Sequence, residues 1–314
     1  MSTLARDAAS ANATLDGRYE LLERIGHGGA GVVYRALDLA CGFPRAVCVK
    51  RLGAELPPEQ ACMLREEARL LASVRHSNVV SLLALGQDGK EAAPFLVLEL
   101  VDGWNLRRLC RALDAATCVA GDGFLPDRVA VYVACALLRA LGAVQRALPG
   151  LVHRDVTPHN VLVSQEGEVK LSDFGIALAL DRARWTRPSF VKGKLGYMAP
   201  EQIRDEDLDV RTDLFAVGVV LYELLTRVRP WGAGTGMNEL PAILAGAGIP
   251  LATHRPKLDP ALVQAVERLL RARREERFAC PDDALRALAP FSAGETGSLR
   301  LAWIGRVLAQ CAIE

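Results

Sequence analysis

Three side chains able to move a proton and hold a metal ion fall close together in this sequence. Asp155 follows His153 and Arg154, Asn160 comes five residues later, and Asp173 opens Asp173-Phe174-Gly175 a further thirteen on. A carboxylate can accept a proton, and an amide oxygen with a second carboxylate can ligate a hard cation. Apolar runs flank the first group, Leu151-Val152 before it and Val161-Leu162-Val163 after it. They predict two short strands holding a rigid loop. Far upstream, Gly26-His27-Gly28-Gly29-Ala30-Gly31 sits between two strand-like runs, the second of them β-branched, so the spacing predicts a hairpin with a glycine turn. Glycine lets backbone approach a ligand closely, and successive N–H groups can face phosphate oxygens. The next apolar run, Ala46 to Val49, ends at Lys50. On a strand Lys50 shares a face with Cys48 and can reach under that turn.

These residues need elements to position them. Strands are predicted over Tyr19–Ile25, Val32–Ala36, Ala46–Lys50, Ser81–Gly86 and Pro94–Val101. A helix runs from Pro57 to about Val74, with Glu67 on the same face as Leu70, Leu71 and Val74 and so in need of a partner, for which Lys50 is the candidate. Asp102-Gly103 breaks the strand pattern, and the chain then turns helical: Asn105–Leu113, a Gly/Ala-rich loop over 114–124, and a long apolar helix over Asp127–Ala147. Residues 1–17 have little to bury and read as a disordered lead-in. Residues 291–314 form a tail in which Ile304, Val307, Leu308 and Cys311 share helical spacing.

At 314 residues the chain can bury a full core. A formal net charge of +1 argues against nucleic acid or anionic membrane as the main partner. Eight cysteines without a Cys-x-x-Cys pair read as buried thiols in a reducing compartment. Without a signal-peptide pattern or an apolar run near the ~18 residues that cross a bilayer, the expectation is a soluble cytoplasmic protein.

The ordered set of motifs resembles bacterial eukaryotic-like (Hanks-type) serine/threonine protein kinases, over roughly residues 19–290. The glycine turn, the Val47-Cys48-Val49-Lys50 strand, His153-Arg154-Asp155 with Asn160, Asp173-Phe174-Gly175 and Ala199-Pro200-Glu201 stand in the family's order. The resemblance implies a bilobal α+β fold, with a β-sheet lobe over 18–101 and a mostly helical lobe over 102–290. It implies ATP and Mg²⁺ (Mn²⁺ being possible), protein substrates, and upstream kinases or adaptor proteins as sources of input. By family position Asp155 is the base, Asn160 and Asp173 hold metal, and Lys50 paired with Glu67 orients phosphates. Ile25 and residues 26–31, with Val33, Cys48, Leu98 as gatekeeper, Glu99, Val101 and Leu162, would surround the nucleotide. Thr186 and Ser189 are the expected regulatory phosphosites, with Arg154 as the cation they would pair with. Glu201 should meet Arg277, and Asp213, read as the start of a helix, should cap the catalytic-loop backbone.

Two positions depart from the family. Thr157 stands where lysine is usual, and Lys194 stands where threonine is usual after Gly193. The exchange predicts compensation: Lys194 supplies the cation near the transferring phosphate, and the Thr157 hydroxyl fixes Asp155. Thr157 fits neither the serine/threonine nor the tyrosine form, while Pro158 follows the former. The competing class is a pseudokinase or nucleotide-binding scaffold, which would be marked by loss of Lys50, Asp155, Asn160 or Asp173. None is lost.

Overall fold

The computed structural model describes residues 13–28, 31–40, 42–51, 65, 68–69, 71–88, 94–115, 125–174, 194–232, 236–294 and 296–311. The described residues divide into two compact units: one built from those up to Arg75 together with Val80–Val101, the other from His76–Val79 and the described residues from Asp102 onward.

The first unit is an antiparallel sheet of β1 (Thr14–Leu15), β2 (Tyr19–Gly28), β3 (Gly31–Asp38), β4 (Arg45–Arg51), β5 (Leu82–Gln87) and β6 (Pro94–Glu99), in the order β1-β2-β3-β4-β6-β5. Period-2 alternation sends Tyr34, Ala36, Val47, Val49, Phe95 and Val97 to one face, where they bury against Leu15, Tyr19 and Leu21. The register sets Val33 opposite Lys50, Lys50 opposite Leu96, and Cys48 opposite Leu98. All five therefore share the other face. Gly86 is required by close packing, because a Cβ there would lie 2.1 Å from the Phe95 ring. Two expectations change. Leu15 is 2 % exposed and Thr14–Leu15 pairs with β2, so the end of the supposed lead-in is ordered. A single leucine that completes a core outweighs the polar composition around it. The β2 ladder also runs past Ile25 to Gly28, which pairs with Gly31 at φ +139°. Gly26, His27 and Gly28 thus belong to the strand rather than the turn. Gly29, Ala30 and most of the 57–74 helix, Glu67 included, lie outside the described residues.

The second unit holds a three-stranded sheet of β7 (Gly103–Asn105), β8 (Val161–Ser164) and β9 (Val169–Leu171). Its main helices are α1 (Leu106–Ala115), α2 (Asp127–Ala147), α3 (Val210–Thr226), α4 (Pro260–Leu269), α5 (Pro281–Leu288) and α6 (Thr296–Cys311). The Asn105 side chain caps α1 by accepting from Arg108 N at 2.8 Å. Helix α2 is apolar almost all round and is buried accordingly, with α3 packed beside it. Gly218 of α3 permits a close crossing of α4, where a Cβ would sit 2.7 Å from Leu269 Cβ. Helix α6 buries Leu301, Ala302 and Ile304 and packs on α1, α2 and β8. Its side chains from Val307 onward, Val307, Leu308 and Cys311 among them, lie outside the described residues.

Candidate active site

The expected strand ahead of the catalytic loop is absent: residues 151–156 carry no regular structure, and only β8 follows the loop. Side chains from elsewhere do the holding. Asp213, 2 % exposed, accepts from the backbone N–H of His153 at 2.7 Å and of Arg154 at 2.9 Å. Asp213 lies in the first turn of α3 rather than at its start, since the helix begins at Val210 and is capped by Asp209. Burial pushes the Asp213 carboxyl up to about 7, against the pull of those two N–H groups. The two bonds support Arg154 at φ +66°, a left-handed backbone that an L-residue adopts only when its surroundings impose it.

His153 is buried and joins the loop to the second carboxylate. Its Nδ1 accepts from Asp155 N at 3.2 Å, so Nε2 carries the proton and donates to Ser172 O at 3.0 Å. Burial lowers its pKa and keeps the ring neutral. Ser172 also donates twice to Asn160 O, from its N–H at 2.8 Å and its hydroxyl at 3.0 Å. Asn160 and Asp173 are thereby tied through one serine, and Asp173 itself takes φ +55°. Phe174 packs on the His153 ring, centroids 4.5 Å apart.

The Asp155 carboxylate is held on one side only. Its Oδ2 accepts from Asn160 Nδ2 at 2.8 Å and is in ion-pair contact with Lys194. Asn160 Nδ2 also reaches Asp155 O at 2.8 Å. Among the described residues no hydrogen bond to Oδ1 is found. The Thr157 half of the expected compensation fails. Thr157 is 2 % exposed, and its hydroxyl has no hydrogen-bond partner among the described residues, Asp155 included. The loop closes through main chain there, with Asn160 N donating to Thr157 O at 2.9 Å.

In the first unit, Val33, Cys48, Lys50 and Leu98 are half-buried on one sheet face, and Ile25 is exposed. The Glu99 amide is committed to Ser81 O at 2.9 Å, and the Glu99 carboxylate accepts from Ser81 N at 3.1 Å. Val101 ends this unit half-buried. Leu162 lies in β8 of the other unit, opposite Asn105 and Lys170. Residues 175–193, which include Gly175, Thr186 and Ser189, lie outside the described set.

Residues 19–286 match the protein kinase domain family. This chain belongs to the protein kinase family. Among curated relatives it is 37 % identical over 229 residues to the serine/threonine-protein kinase PknL of Mycobacterium bovis, covering 72 % of this chain and 54 % of that protein. It is 40 % identical over 222 residues to a probable serine/threonine-protein kinase of Streptomyces coelicolor, covering 69 % and 31 %. The tyrosine-protein kinase MasK of Myxococcus xanthus is 34 % identical over 286 residues, covering 88 % and 43 %. The chain thus spans about half or less of the length of these relatives. The fold is that of the PknI kinase domain of Mycobacterium tuberculosis, with TM-score 0.66 at 22 % identity over 90 % of this chain and 99 % of that one.

The kinase signature beyond the catalytic loop is anchored in the second unit. Arg277, 2 % exposed, donates to both oxygens of Glu201 at 2.6 and 2.8 Å, and Thr212 adds a third bond to Glu201 at 2.9 Å. Gln202 went unassigned in sequence, yet it connects this anchor to the catalytic loop. Its oxygen accepts from Ala199 N at 3.1 Å, and its nitrogen donates to Arg154 O at 3.0 Å. That carbonyl belongs to the peptide leading into Asp155. A polar residue directly after Ala199-Pro200-Glu201 was the available signal. Ser172, directly before Asp173, was the other.

Proposed function

We propose that this chain is an active serine/threonine protein kinase that moves the γ-phosphoryl group of ATP to protein hydroxyls. The observation carrying this reading is the Asp155 carboxylate, with Oδ2 pinned by Asn160 and Lys194 and Oδ1 taking no hydrogen bond among the described residues. A general base needs one oxygen oriented and the other within reach of the proton it accepts. The acceptor oxygen then forms the new P–O bond as the bond from the γ-phosphorus to the bridging oxygen breaks, its electron pair leaving with ADP. The acceptor proton goes to Asp155.

Asn160 spends its amide nitrogen on Asp155, which leaves its oxygen for a hard cation. With the Asp173 carboxylate, the donor set fits Mg²⁺ or Mn²⁺, ions that take most of their ligands from water and phosphate. When bound, the ion neutralises phosphate charge. Lys50, with Glu67 by family position, would hold phosphates, while Val33, Cys48, Leu98 and Leu162 would pack on the base, whose edge the backbone of Glu99 and Val101 would bond. Serine/threonine preference is supported by Pro158 and by the names of most relatives. Among the described residues no helix is long and apolar enough to cross a membrane. We place the activity in the cytoplasm, with input from upstream kinases or adaptors and with Thr186 or Ser189 as the phosphosites, whose phosphate Arg154 would pair with by family position.

The test is incubation with Mg²⁺, ATP and a generic basic acceptor protein beside an Asp155→Asn control, followed by site mapping by mass spectrometry. Phosphoserine or phosphothreonine on the acceptor and on Thr186 or Ser189, missing in the control, is the expected result. ATP binding without transfer would replace this reading with a scaffold, and phosphotyrosine alone would overturn the specificity.

A further inference from the structure

The catalytic loop carries no lysine, and the whole chain has six: Lys50, Lys90, Lys170, Lys192, Lys194 and Lys257. Lys194 reaches Asp155 Oδ2 from thirty-nine residues away. A bare carboxylate beside the acceptor hydroxyl repels the very group being transferred, whose oxygens are negatively charged, so a cation at that place lowers the barrier. Asn160 brings a dipole to the same oxygen but no net charge. We propose that Lys194 is the transfer cation of this enzyme, so that the charge serving the phosphoryl group is mounted on the activation segment and not on the catalytic loop. This rests on the phosphotransfer reading above. Thr157 serves as a β-branched spacer whose hydroxyl has no hydrogen-bond partner among the described residues.

A consequence follows for control. The cation arrives only when residues 194–202 are seated, and the seat is built from identifiable bonds. Trp231 Nε1 donates to Gly196 O at 2.9 Å, Tyr197 bonds Glu223, Gln202 Nε2 donates to Arg154 O at 3.0 Å, and Glu201 is locked to Arg277. Seating this segment and charging the site are one event.

The experiment uses the full chain. With lysines reductively ¹³C-methylated, which keeps their charge, six side-chain signals are expected, and Lys194→Met assigns one. In nucleotide-free protein, Asp155→Asn should shift the Lys194 signal and leave the other five in place. In kinetics, Lys194→Met should lower kcat about 100-fold or more, the loss typical of one transition-state charge contact, with ADP affinity by calorimetry within about threefold. Thr157→Val should keep kcat within about threefold, since an isostere replaces an unbonded hydroxyl. Lys194→Thr with Thr157→Lys should exceed Lys194→Thr alone by about tenfold, the loop lysine restoring the charge. An unmoved Lys194 signal, full kcat in Lys194→Met, or a double variant no better than the single each overturns the proposal. Wild-type chain that transfers nothing while the signal still responds sinks the phosphotransfer reading and the catalytic role with it.

Discussion

Replacing Arg277 by methionine removes a cation from a place where nothing else can serve. The guanidinium uses every N–H it has: Nε to Arg271 O at 2.7 Å, Nη1 to Glu201 and Arg211 O at 2.6 and 2.9 Å, and Nη2 to Glu201 and Ala272 O at 2.8 and 3.0 Å. Its side chain is 0 % exposed and that of Glu201 3 %. Methionine fills similar volume but leaves Glu201 a buried carboxylate held by the Thr212 hydroxyl and its own backbone N–H, and takes a donor from three carbonyls. Breaking a buried pair from one side costs about 3–5 kcal/mol. That is a large part of the roughly 5–15 kcal/mol that a folded domain has in hand. Urea unfolding followed by tryptophan fluorescence should show it as a lower midpoint. Glu201→Gln on the Arg277→Met background should recover part of the loss, because a neutral amide tolerates burial better. The pair also sets a pH dependence. Burial by itself would raise the Glu201 carboxyl, but the Arg277 bonds and charge outweigh it and hold the group below its ordinary 4.5. A depressed folded value means the stabilisation is present above the unfolded value and disappears as pH falls through the folded one. Wild type should therefore lose stability below about pH 4.5, and Glu201→Gln should lack that component. An Arg277→Met variant within about 1 kcal/mol of wild type would refute the account, since no buried unpaired charge is that cheap.

Two further outcomes are expected. Asp213→Asn keeps one acceptor but sets an N–H₂ against a backbone N–H, so the loop should lose its hold on Arg154; kcat should drop about tenfold to 100-fold at nearly constant ADP affinity, a result that unchanged kcat would contradict. Gly218→Ala forces a methyl to within 2.7 Å of Leu269 Cβ, and chemical denaturation should register about 1–3 kcal/mol of overpacking where an exposed Gly→Ala would stabilise.

What could be read from sequence is what repeats or follows a shared order. Alternation placed Cys48 and Lys50 on one face, as the register shows, and a largely apolar run marked α2 over Asp127–Ala147. The Glu201–Arg277 contact followed from family position. The misses around the catalytic loop share a physical cause: each depends on where one polar atom points. Leu151-Val152 looked like a strand because a short β-branched run has no other local signature. The actual restraint is a carboxylate sixty residues away that accepts two N–H groups, and no periodicity encodes it. Leu15 entered the core as a single residue, too little to register in a polar stretch.

Thr157 and Lys194 separate the two kinds of information. Their exchange was legible because charge is carried by residue type, and a lysine missing at one position can be sought at another that meets it in the fold. Lys194 does meet Asp155. The hydroxyl was not legible in the same way. Threonine's Oγ1 has to choose among rotamers on a crowded loop, and here the main-chain bond from Asn160 N to Thr157 O satisfies the turn without it. A charge acts over several ångströms and tolerates a new tether, while a hydrogen bond needs its donor within about 3 Å and in line. Relocation across thirty-seven residues therefore can preserve the electrostatic half of a two-residue device and lose the directional half. The holding of Asp155 then falls to groups that never moved, Asn160 on its side chain and Gln202 on the peptide before it.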